Sequence, residues 1–538
     1  MAGQKFDALI IGGGHNGLVC ASYLAAGGLK VKIFESRSIV GGAAVTEEFA
    51  PGFRNSTAAY TVSLLHPKII KDLRLHENGL RIINRKMDNF LPLPDGRSLS
   101  VGVGGLAGTV AEVAKFSQRD AENLPAFYAM LEAVADLIRD SLLETPPNQG
   151  GGLDSLLNAI RIGNRWRKLS HEQQKDFHEL MTRSAGYLLD GWFESDPIKA
   201  VLGFDAVVGN FGSPYSPGSG YVLLHHVIGE VNGKKGNWGH AIGGMGAITE
   251  TMAREAKSRG VNIQTDAPVR SVLTDNGRAI GVELESGEQH FAVIVAANVD
   301  PKRLYGKLVA TDDVPPEFSR RMKRYRCGSG TFRMNVALSA LPDFSCLPGT
   351  EPALHHQAGI IMAPSLSYMD KAFADAMEKG YSDQPIVEML IPSTVDDTLA
   401  PPGAHVASLF CQHANPELPD GRSWVDEEDV FARHIIDFVD SFAPNFKDSL
   451  IAYEAMSPLT LEKRFGLTNG DIMHGSLGLD QLFSARPMIG YADYRTPLKG
   501  LYLCGAGAHP GGGVSGVPGH NAAREILRDR KFRPWKRN

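Results

Sequence analysis

The sequence predicts an α/β fold with a second domain of mixed α+β structure, and three observations support this prediction. The first is an apolar run, a glycine-rich turn and an amphipathic helical pattern within residues 6–25. The second is another glycine-dense strand-to-helix turn within residues 500–527. The third is an Ala- and Leu-rich helical block at residues 109–189. Strand and helix patterns that alternate at both ends of the chain indicate a nucleotide-binding domain, and the block between them indicates a second domain.

The N-terminal unit has the spacing of a dinucleotide-binding turn. An apolar strand at residues 6–11 leads into Gly12-Gly13-Gly14-His15-Asn16-Gly17, and a helix follows. Gly12 allows the turn, Gly14 lets backbone N–H groups approach a pyrophosphate, and Gly17 lets the helix pack closely on the strand. The sequence therefore predicts that a phosphate binds at this helix N-terminus.

The next strand ends at an acidic residue suited to a ribose. Residues 30–34 read as a strand, and Glu35 follows it, where a carboxylate can accept hydrogen bonds from adenosine ribose hydroxyls. This carboxylate disfavours a 2′-phosphate and therefore NADP, but it leaves NAD and FAD open. Arg37 and the pair Gly41-Gly42, followed by Ala43, come where the chain would run back beneath the cofactor.

The C-terminal turn supplies a second set of backbone donors. Gly505 ends a strand pattern, and Gly512, Gly513 and Val514 precede a predicted helix. Such a turn offers backbone N–H groups and the positive end of a helix, so two turns could hold one extended cofactor. A near-repeat of the first motif at residues 244–249 is rejected as a second dinucleotide site, because residues 238–241 do not read as a buried strand.

Composition indicates an ordinary globular protein of two domains. The chain has 538 residues, 43% of them hydrophobic and 21% charged, and a net charge of −5. This charge gives no reason to expect a nucleic-acid partner, and no apolar run is long enough to span a membrane. The five cysteines form no C-x-x-C motif, so neither a disulfide framework nor a redox dithiol is predicted, and Cys504 is interpreted as a buried side chain rather than a covalent flavin attachment. No metal site is expected.

The motifs at residues 12–17, 35–37, 41–44 and 505–513 together resemble the phytoene desaturase-like family of FAD-dependent oxidoreductases. The resemblance implies non-covalent FAD in a Rossmann-like domain of the glutathione reductase type, assembled from residues 1–100, 235–300 and 465–538. It implies a substrate or cap domain assembled from residues 101–234 and 301–464. The cofactor-binding residues that it implies are Gly12, Gly14, Gly17, Glu35, Arg37, Gly41, Gly42, Ala43, Val269, Gly505, Gly512, Gly513 and Val514.

The expected function is an FAD-dependent oxidoreductase that transfers a hydride from a C–H bond of an apolar small molecule to flavin N5. His240 and His509 are the titratable groups expected near the flavin, with a purely structural role as the alternative for each. Two other functions stay open: a carotenoid desaturase or ketolase at a membrane surface, and a flavin-containing binding or regulatory protein without turnover. An NAD dehydrogenase is the remaining rival.

The expected surroundings are a cytoplasmic location, or the mitochondrial matrix or inner-membrane face for a eukaryotic source. Basic residues at 528–537 could touch anionic lipid, although a solvated tail is favoured. The residues do not identify the substrate, the electron acceptor or the oligomeric state.

Overall fold

A computed structural model describes residues 5–149 and 151–532. The strands are β1 (Ala8–Ile11), β2 (Val31–Phe34), β3 (Thr46–Ala50), β4 (Phe53–Ser56), β5 (Ile82–Asn84), β6 (Asn89–Pro92), β7 (Ser98–Val101), β8 (Glu230–Val231), β9 (Lys234–Lys235), β10 (Gly239–Ala241), β11 (Asn262–Gln264), β12 (Val269–Asp275), β13 (Arg278–Leu284), β14 (Gln289–Phe291), β15 (Ile294–Ala297), β16 (Phe332–Leu338), β17 (Gly359–Met362), β18 (Tyr381–Leu390), β19 (His405–Ala414), β20 (Leu450–Met456) and β21 (Leu501–Leu503).

The helices are α1 (His15–Ala26), α2 (Pro67–Asp72), α3 (Gly105–Val113), α4 (Gln118–Arg139), α5 (Gly152–Trp166), α6 (His171–Thr182), α7 (Ala185–Trp192), α8 (Asp196–Phe204), α9 (Ser219–Val227), α10 (Gly246–Ser258), α11 (Pro301–Arg303), α12 (Pro316–Met322), α13 (Leu366–Lys379), α14 (Trp424–Asp440), α15 (Pro458–Phe465) and α16 (Val517–Phe532). Of the basic C-terminal residues considered above, those at 533–537 lie outside the described part of the chain.

A parallel five-stranded sheet joins the two ends of the chain. Its order is β11-β2-β1-β15-β21, so the N-terminal β1 lies at the centre and the C-terminal β21 at one edge. All four residues of β1 are buried, because helices cover the sheet and leave no solvated face. Open α/β sheets bind their ligands at the carboxyl ends of strands where the strand order reverses, which in this sheet is between β1 and β15. The predicted α/β fold class is confirmed.

A mixed seven-stranded sheet, β20-β16-β19-β18-β17-β6-β7, forms the floor of the second domain. Its side chains alternate between two cores: Leu91, Ile361 and Phe410 pack with the helical block, while Phe90 and Leu409 pack on the side of α14. The hairpin of β6 and β7 belongs to this sheet, whereas the predicted boundary at residue 100 grouped it with the cofactor domain. The alternation of apolar residues in the hairpin did not indicate which of the two sheets it would join.

Serine caps divide the predicted helical block into separate helices. The Ser170 side chain accepts from Gln173 N at 3.1 Å, and the Gln173 side chain accepts from Ser170 N at 3.1 Å, which forms a capping box at the start of α6. Ser184 caps α7 by accepting from Tyr187 N at 3.1 Å. The block therefore folds as consecutive helices, and buried residues of α3, α4, α6 and α7 pack in the core on one face of the seven-stranded sheet.

One sequence interpretation is corrected in the segment before α10. Residues 239–241 form β10, which is fully buried and pairs antiparallel with β5, although no buried strand was expected there. The burial comes from packing between distant segments rather than from an apolar run. The backbone donors of the turn before α10 are nevertheless already used by protein groups, because Gly246 N donates to Thr46 Oγ1 at 2.9 Å and Met245 N donates to Ser56 Oγ at 3.0 Å. These two N–H groups are therefore not free to bind a phosphate.

Candidate cofactor and active site

A cavity of about 510 Å³ lies at the carboxyl ends of β1 and β2 and takes in the first glycine turn. Gly12 has a φ of +92°, in the left-handed region that favours glycine. A Cβ on Gly14 would lie 2.9 Å from the side chain of Asn298, and one on Gly17 would lie 2.2 Å from the Gly12 carbonyl oxygen. Gly14 precedes α1 without a side-chain cap of its own, and Asn298 lies within reach of Gly14 N and Gly17 N, so the N–H groups of His15 and Asn16 are the ones available to a phosphate.

Glu35 and Arg37 form the next part of the cavity wall. Glu35 is buried after β2, where its Oε2 accepts from Gly13 N at 2.7 Å and its Oε1 accepts from Arg37 N at 2.9 Å. The Arg37 guanidinium donates through Nη2 to Glu47 at 2.7 Å. Its Nη1 is buried and has no hydrogen-bond partner among the described residues. An orphaned cationic donor beside a phosphate-binding turn is suited to an anionic ligand.

The Gly41-Gly42 pair lets the chain return beside this turn. Gly41 has a φ of +127° and Gly42 one of +59°. Gly41 N donates to the Gly13 carbonyl oxygen at 2.9 Å, and a Cβ on Gly41 would lie 2.7 Å from Thr249 Oγ1. These glycines and Ala43 line the cavity. Both the strained backbone and the lack of space exclude larger side chains at Gly41.

The C-terminal turn closes the cavity from the other side. Ala506, Gly513 and Val514 line it, and of the predicted residues here Gly505 packs beside Asn298 while Gly512 packs against Met473. The buried guanidinium of Arg486 holds this turn in place.

Arg486 donates through Nε and Nη2 to the Ala506 carbonyl oxygen at 3.0 and 2.8 Å, and through Nη2 to the Met473 carbonyl oxygen at 2.6 Å. Nothing in the glycine spacing indicated this arginine.

Val269, which the resemblance places beside the adenine, lies next to the cavity wall, and its role there stays a prediction. It starts β12, opposite Leu284, and packs partly buried against the core of the cofactor domain. Its neighbour Pro268 and the residue Glu285 line the cavity, and Val269 is absent from the described lining residues. Gly17 is also absent from the described residues that line the cavity, and it lies where α1 packs closely on the end of β1. Cys504 is fully buried in the same core, consistent with a packing role.

His240 and His509 lie outside the described lining of the large cavity, and their expected role near the flavin stays a prediction. His240 Nε2 pairs with Asp396 Oδ2 at 2.8 Å beside a separate cavity of about 30 Å³. Partial burial raises the pKa of Asp396, but hydrogen bonds from His240, Thr398 and Gly243 N outweigh it and bring that pKa to about 2. His509 is buried behind the C-terminal turn with its ring 5.8 Å from that of Phe483. Neither histidine is among the described residues that line the large cavity.

Four other histidines, His15, His225, His226 and His474, line the cavity instead. Burial lowers the pKa of His225 to about 3 and that of His226 to about 4, so both rings are neutral at physiological pH. The His226 ring stacks on Trp238 with centroids 6.0 Å apart, and neither ring nitrogen of His225 has a partner among the described residues. No motif marked these positions, because α9 brings them to the cavity only through the packing of the helical block.

Beyond the glycine turns the cavity wall becomes largely apolar. Tyr60, Leu64, Val208, Phe410 and Ile472 line it here. The rings of Tyr60 and Phe410 are stacked with centroids 5.3 Å apart. The Ala59 N–H donates to the Ala43 carbonyl oxygen at 3.0 Å, which holds the Tyr60 segment against the Gly41–Ala43 stretch. A phosphate-binding end and an apolar end therefore share one cavity.

These residues fit FAD. The glycine turns leave room that a Cβ would fill, Arg37 offers an unpaired buried donor, and Glu35 offers a carboxylate. The turn of residues 12–16 would hold the pyrophosphate, Glu35 the ribose, and the segment from Ala506 to Val514 the flavin end. The individual roles of these residues remain predictions.

Comparisons with known proteins agree with this fit. A family model described as "Flavin containing amine oxidoreductase" matches residues 17–331. The chain is 40% identical to pyridine nucleotide-disulfide oxidoreductase domain-containing protein 2 of Mus musculus, over 98% of this chain and 94% of the mouse protein. It is 24% identical to one of the subunits of limonene dehydrogenase from Castellaniella defragrans, over 99% of this chain and 96% of that protein.

The solved structure of cyclohexylamine oxidase from Brevibacterium oxydans has the same fold, with a TM-score of 0.57 at 16% identity over 98% of this chain and all of that chain. The predicted FAD cofactor and oxidoreductase class are confirmed. The chain belongs to the flavin-containing amine oxidoreductase family and is an FAD-dependent oxidoreductase.

Proposed function

We propose that this enzyme takes a hydride from a C–H bond of a small, largely apolar molecule. The observation that carries the proposal is that one cavity joins the cofactor-binding turns to the apolar wall of Leu64, Val208 and Phe410. A relative at 24% identity is named for the dehydrogenation of limonene, a hydrocarbon, which supports an apolar substrate. When bound, FAD supplies the hydride acceptor at its N5 atom.

The contribution of the chain is to orient the substrate and to exclude water. The stacked rings of Tyr60 and Phe410 offer a flat apolar surface. Neutral His225 and His226 offer hydrogen-bonding nitrogens without placing a charge in the cavity. A rigid apolar wall holds a C–H bond in one orientation, which lowers the entropic cost of the transfer.

Absorption spectroscopy of the purified protein tests this function. We expect the bands of oxidised flavin, with the flavin released by acid precipitation because its attachment is non-covalent. Under anaerobic conditions, small apolar donors should bleach these bands, whereas polar amines of similar size should bleach them far more slowly. Bleaching by dithionite but by no donor would contradict the proposal and favour a binding protein without turnover.

A second candidate is a desaturase or ketolase that acts at a membrane surface, and α5 favours it. Leu153, Leu156, Leu157 and Ile160 share one face of this helix and are 50–71% exposed. Arg167 and Lys168 follow its end and are also exposed, while Arg165 pairs with Glu144 at 2.7 Å. An apolar helix face beside cations is complementary to an anionic bilayer surface. Among the described residues, no helix is long and apolar enough to cross a bilayer.

Vesicle flotation tests this candidate. We expect the protein to float with phosphatidylserine-containing vesicles and not with pure phosphatidylcholine vesicles. The double variant Leu156→Asp, Leu157→Asp should lose flotation, because each charge would have to enter the interface. The matched double variant Leu347→Asp, Leu354→Asp changes two exposed leucines elsewhere and should float normally. Membrane binding would be contradicted if the wild-type protein did not float. It would also be contradicted if the wild type formed a dimer and the double variant Leu156→Asp, Leu157→Asp dissociated it, because the apolar face would then be a dimer interface.

A further inference from the structure

A buried tyrosine–glutamate pair lies at the edge of the proposed substrate region. Tyr60 lines the cavity, and its hydroxyl donates to Glu388 Oε2 at 2.5 Å. Glu388 is on β18, and its carboxylate lies behind Tyr60, 6% exposed, at the level of Ile361 and Phe410 on the neighbouring strands. Tyr60 therefore connects the cavity to a carboxylate that is nearly sealed from solvent.

Two arginines stabilise negative charge at this pair. The guanidinium of Arg333 lies 4.5 Å from the centre of the Tyr60 ring and is held by Leu409 O at 2.7 Å and Ser408 Oγ at 2.6 Å. The guanidinium of Arg85 also lies near Glu388. Glu388 Oε1 and Arg85 Nη1 lie 2.6 and 3.4 Å from the position that a Cβ on Gly359 would take. Both guanidinium groups favour the ionised form of this carboxylate and so oppose the effect of its burial on the pKa of Glu388.

Asp205 is a further titratable group near Glu388 among the described residues. Burial, reinforced by the charge of Glu388, raises the pKa of Asp205 to about 8, so Asp205 holds a proton at neutral pH. Burial also raises the pKa of Glu388, against the opposing effects of Arg85, Tyr60 and Arg333. The pKa of Tyr60 is raised well above its usual value, chiefly by burial. The phenol therefore keeps its proton in the resting state and can pass a proton on only if Glu388 accepts one.

We propose that Tyr60 and Glu388 form a proton relay that removes a proton from the substrate, an inference that rests on the proposed function. The substrate loses a hydride from one atom to bound FAD, which becomes reduced by two electrons. The adjacent C–H or O–H bond then breaks, and its electron pair forms a C=C or C=O bond. Its proton moves to the Tyr60 oxygen as the Tyr60 proton moves to Glu388, so the charge lost by the substrate is balanced at Glu388.

The relay restricts the class of substrate. A molecule that loses a hydride and a proton from adjacent atoms, such as a hydrocarbon that gains a C=C bond or a secondary alcohol, needs a proton acceptor. A tertiary amine that forms an iminium needs none. The relay therefore points to desaturation or alcohol oxidation in this cavity.

Anaerobic single-turnover reduction tests the relay in the holoenzyme. Tyr60→Phe and Glu388→Gln should each lower the rate constant of flavin reduction by about 100-fold or more, with little change in substrate affinity. The matched controls are Tyr381→Phe and Glu427→Gln, because Tyr381 donates to Glu427 at 2.6 Å in a similar pair that lies outside the cavity lining. The controls should keep the wild-type rate constant.

The pH profile separates a relay from a structural role. Glu388 accepts a proton only when ionised, so the wild-type rate constant should fall as the pH decreases through its raised pKa. Glu388→Gln should be slow at every pH and should lack this limb. Wild-type rates, or an unchanged acidic limb, in Glu388→Gln would overturn the proposal while leaving the proposed function intact.

Infrared difference spectroscopy of the resting holoenzyme provides a readout that needs no turnover. The C=O band of a protonated carboxyl should grow in the wild type as the pH falls, and this component should be missing in Glu388→Gln but present in Glu427→Gln. If the C=O band of Glu388 already had its full intensity at the pH of the kinetic assay, Glu388 would be fully protonated there. That result would overturn the relay, because no proton acceptor would remain. A failure of every donor to bleach the flavin would instead refute the proposed function.

Discussion

Replacing Gly17 by valine is expected to abolish FAD retention. A Cβ at this position would lie 2.2 Å from the Gly12 carbonyl oxygen, closer than any real contact, so α1 would have to move away from β1. Overpacking of this severity costs about 3 kcal/mol or more, and the displaced helix start would no longer present its N–H groups to the pyrophosphate. The measurements are flavin absorbance per protein after purification and the thermal unfolding midpoint.

Gly163→Val is the matched control for this prediction. Gly163 lies in α5, and apart from its chain neighbours and the nearby backbone of α5 itself, no described atom lies within 4 Å of the position that a Cβ would take there, so the same substitution meets open space. We expect the control to bind FAD normally. Retention of stoichiometric FAD by Gly17→Val would show that α1 does not need this close approach, and it would remove the packing argument for the first turn.

Arg486→Leu is expected to give the largest loss of stability among the substitutions considered. Arg486 is fully buried and holds Ala506 and Met473, and it also donates to the Gln481 carbonyl oxygen at 3.1 Å. Leucine would leave these carbonyl oxygens buried without donors, at about 1–3 kcal/mol each. We expect a loss of about 3–5 kcal/mol in the free energy of unfolding and a weaker hold on FAD, since Ala506 lines the cavity.

Chemical denaturation followed by circular dichroism and by flavin fluorescence would measure both effects. Arg320→Leu is the control, because Arg320 is an exposed arginine whose salt bridge with Glu317 lies at the surface. Such pairs contribute about 0–1 kcal/mol, so this variant should unfold close to the wild type. Equal losses in the two variants would mean that the buried guanidinium is not what holds the C-terminal turn.

The sequence by itself determined the first half of the cofactor site. The turn from Gly12 to Gly17 and the carboxylate of Glu35 lie in one strand–turn–helix–strand unit, where short-range backbone geometry dictates which residue types can occur. Gly12 has a positive φ in the predicted turn, Gly17 makes the predicted close approach, and Glu35 lies at the end of β2 beside the turn. The α/β class follows from these local features, whereas the choice of FAD over NAD came from the family resemblance of the motifs at both ends of the chain.

Only the tertiary structure decided which side chains face the far end of the cavity. Tyr60 and Glu388 are 328 residues apart, and no spacing rule connects them, because their contact depends on how the seven-stranded sheet meets the cofactor domain. His240 and His509 lie close in sequence to glycine turns, yet their side chains point to other partners, whereas α9 carries His225 and His226 to the cavity. Local spacing specifies how a chain turns around a phosphate, while long-range packing specifies what surrounds the reacting bond.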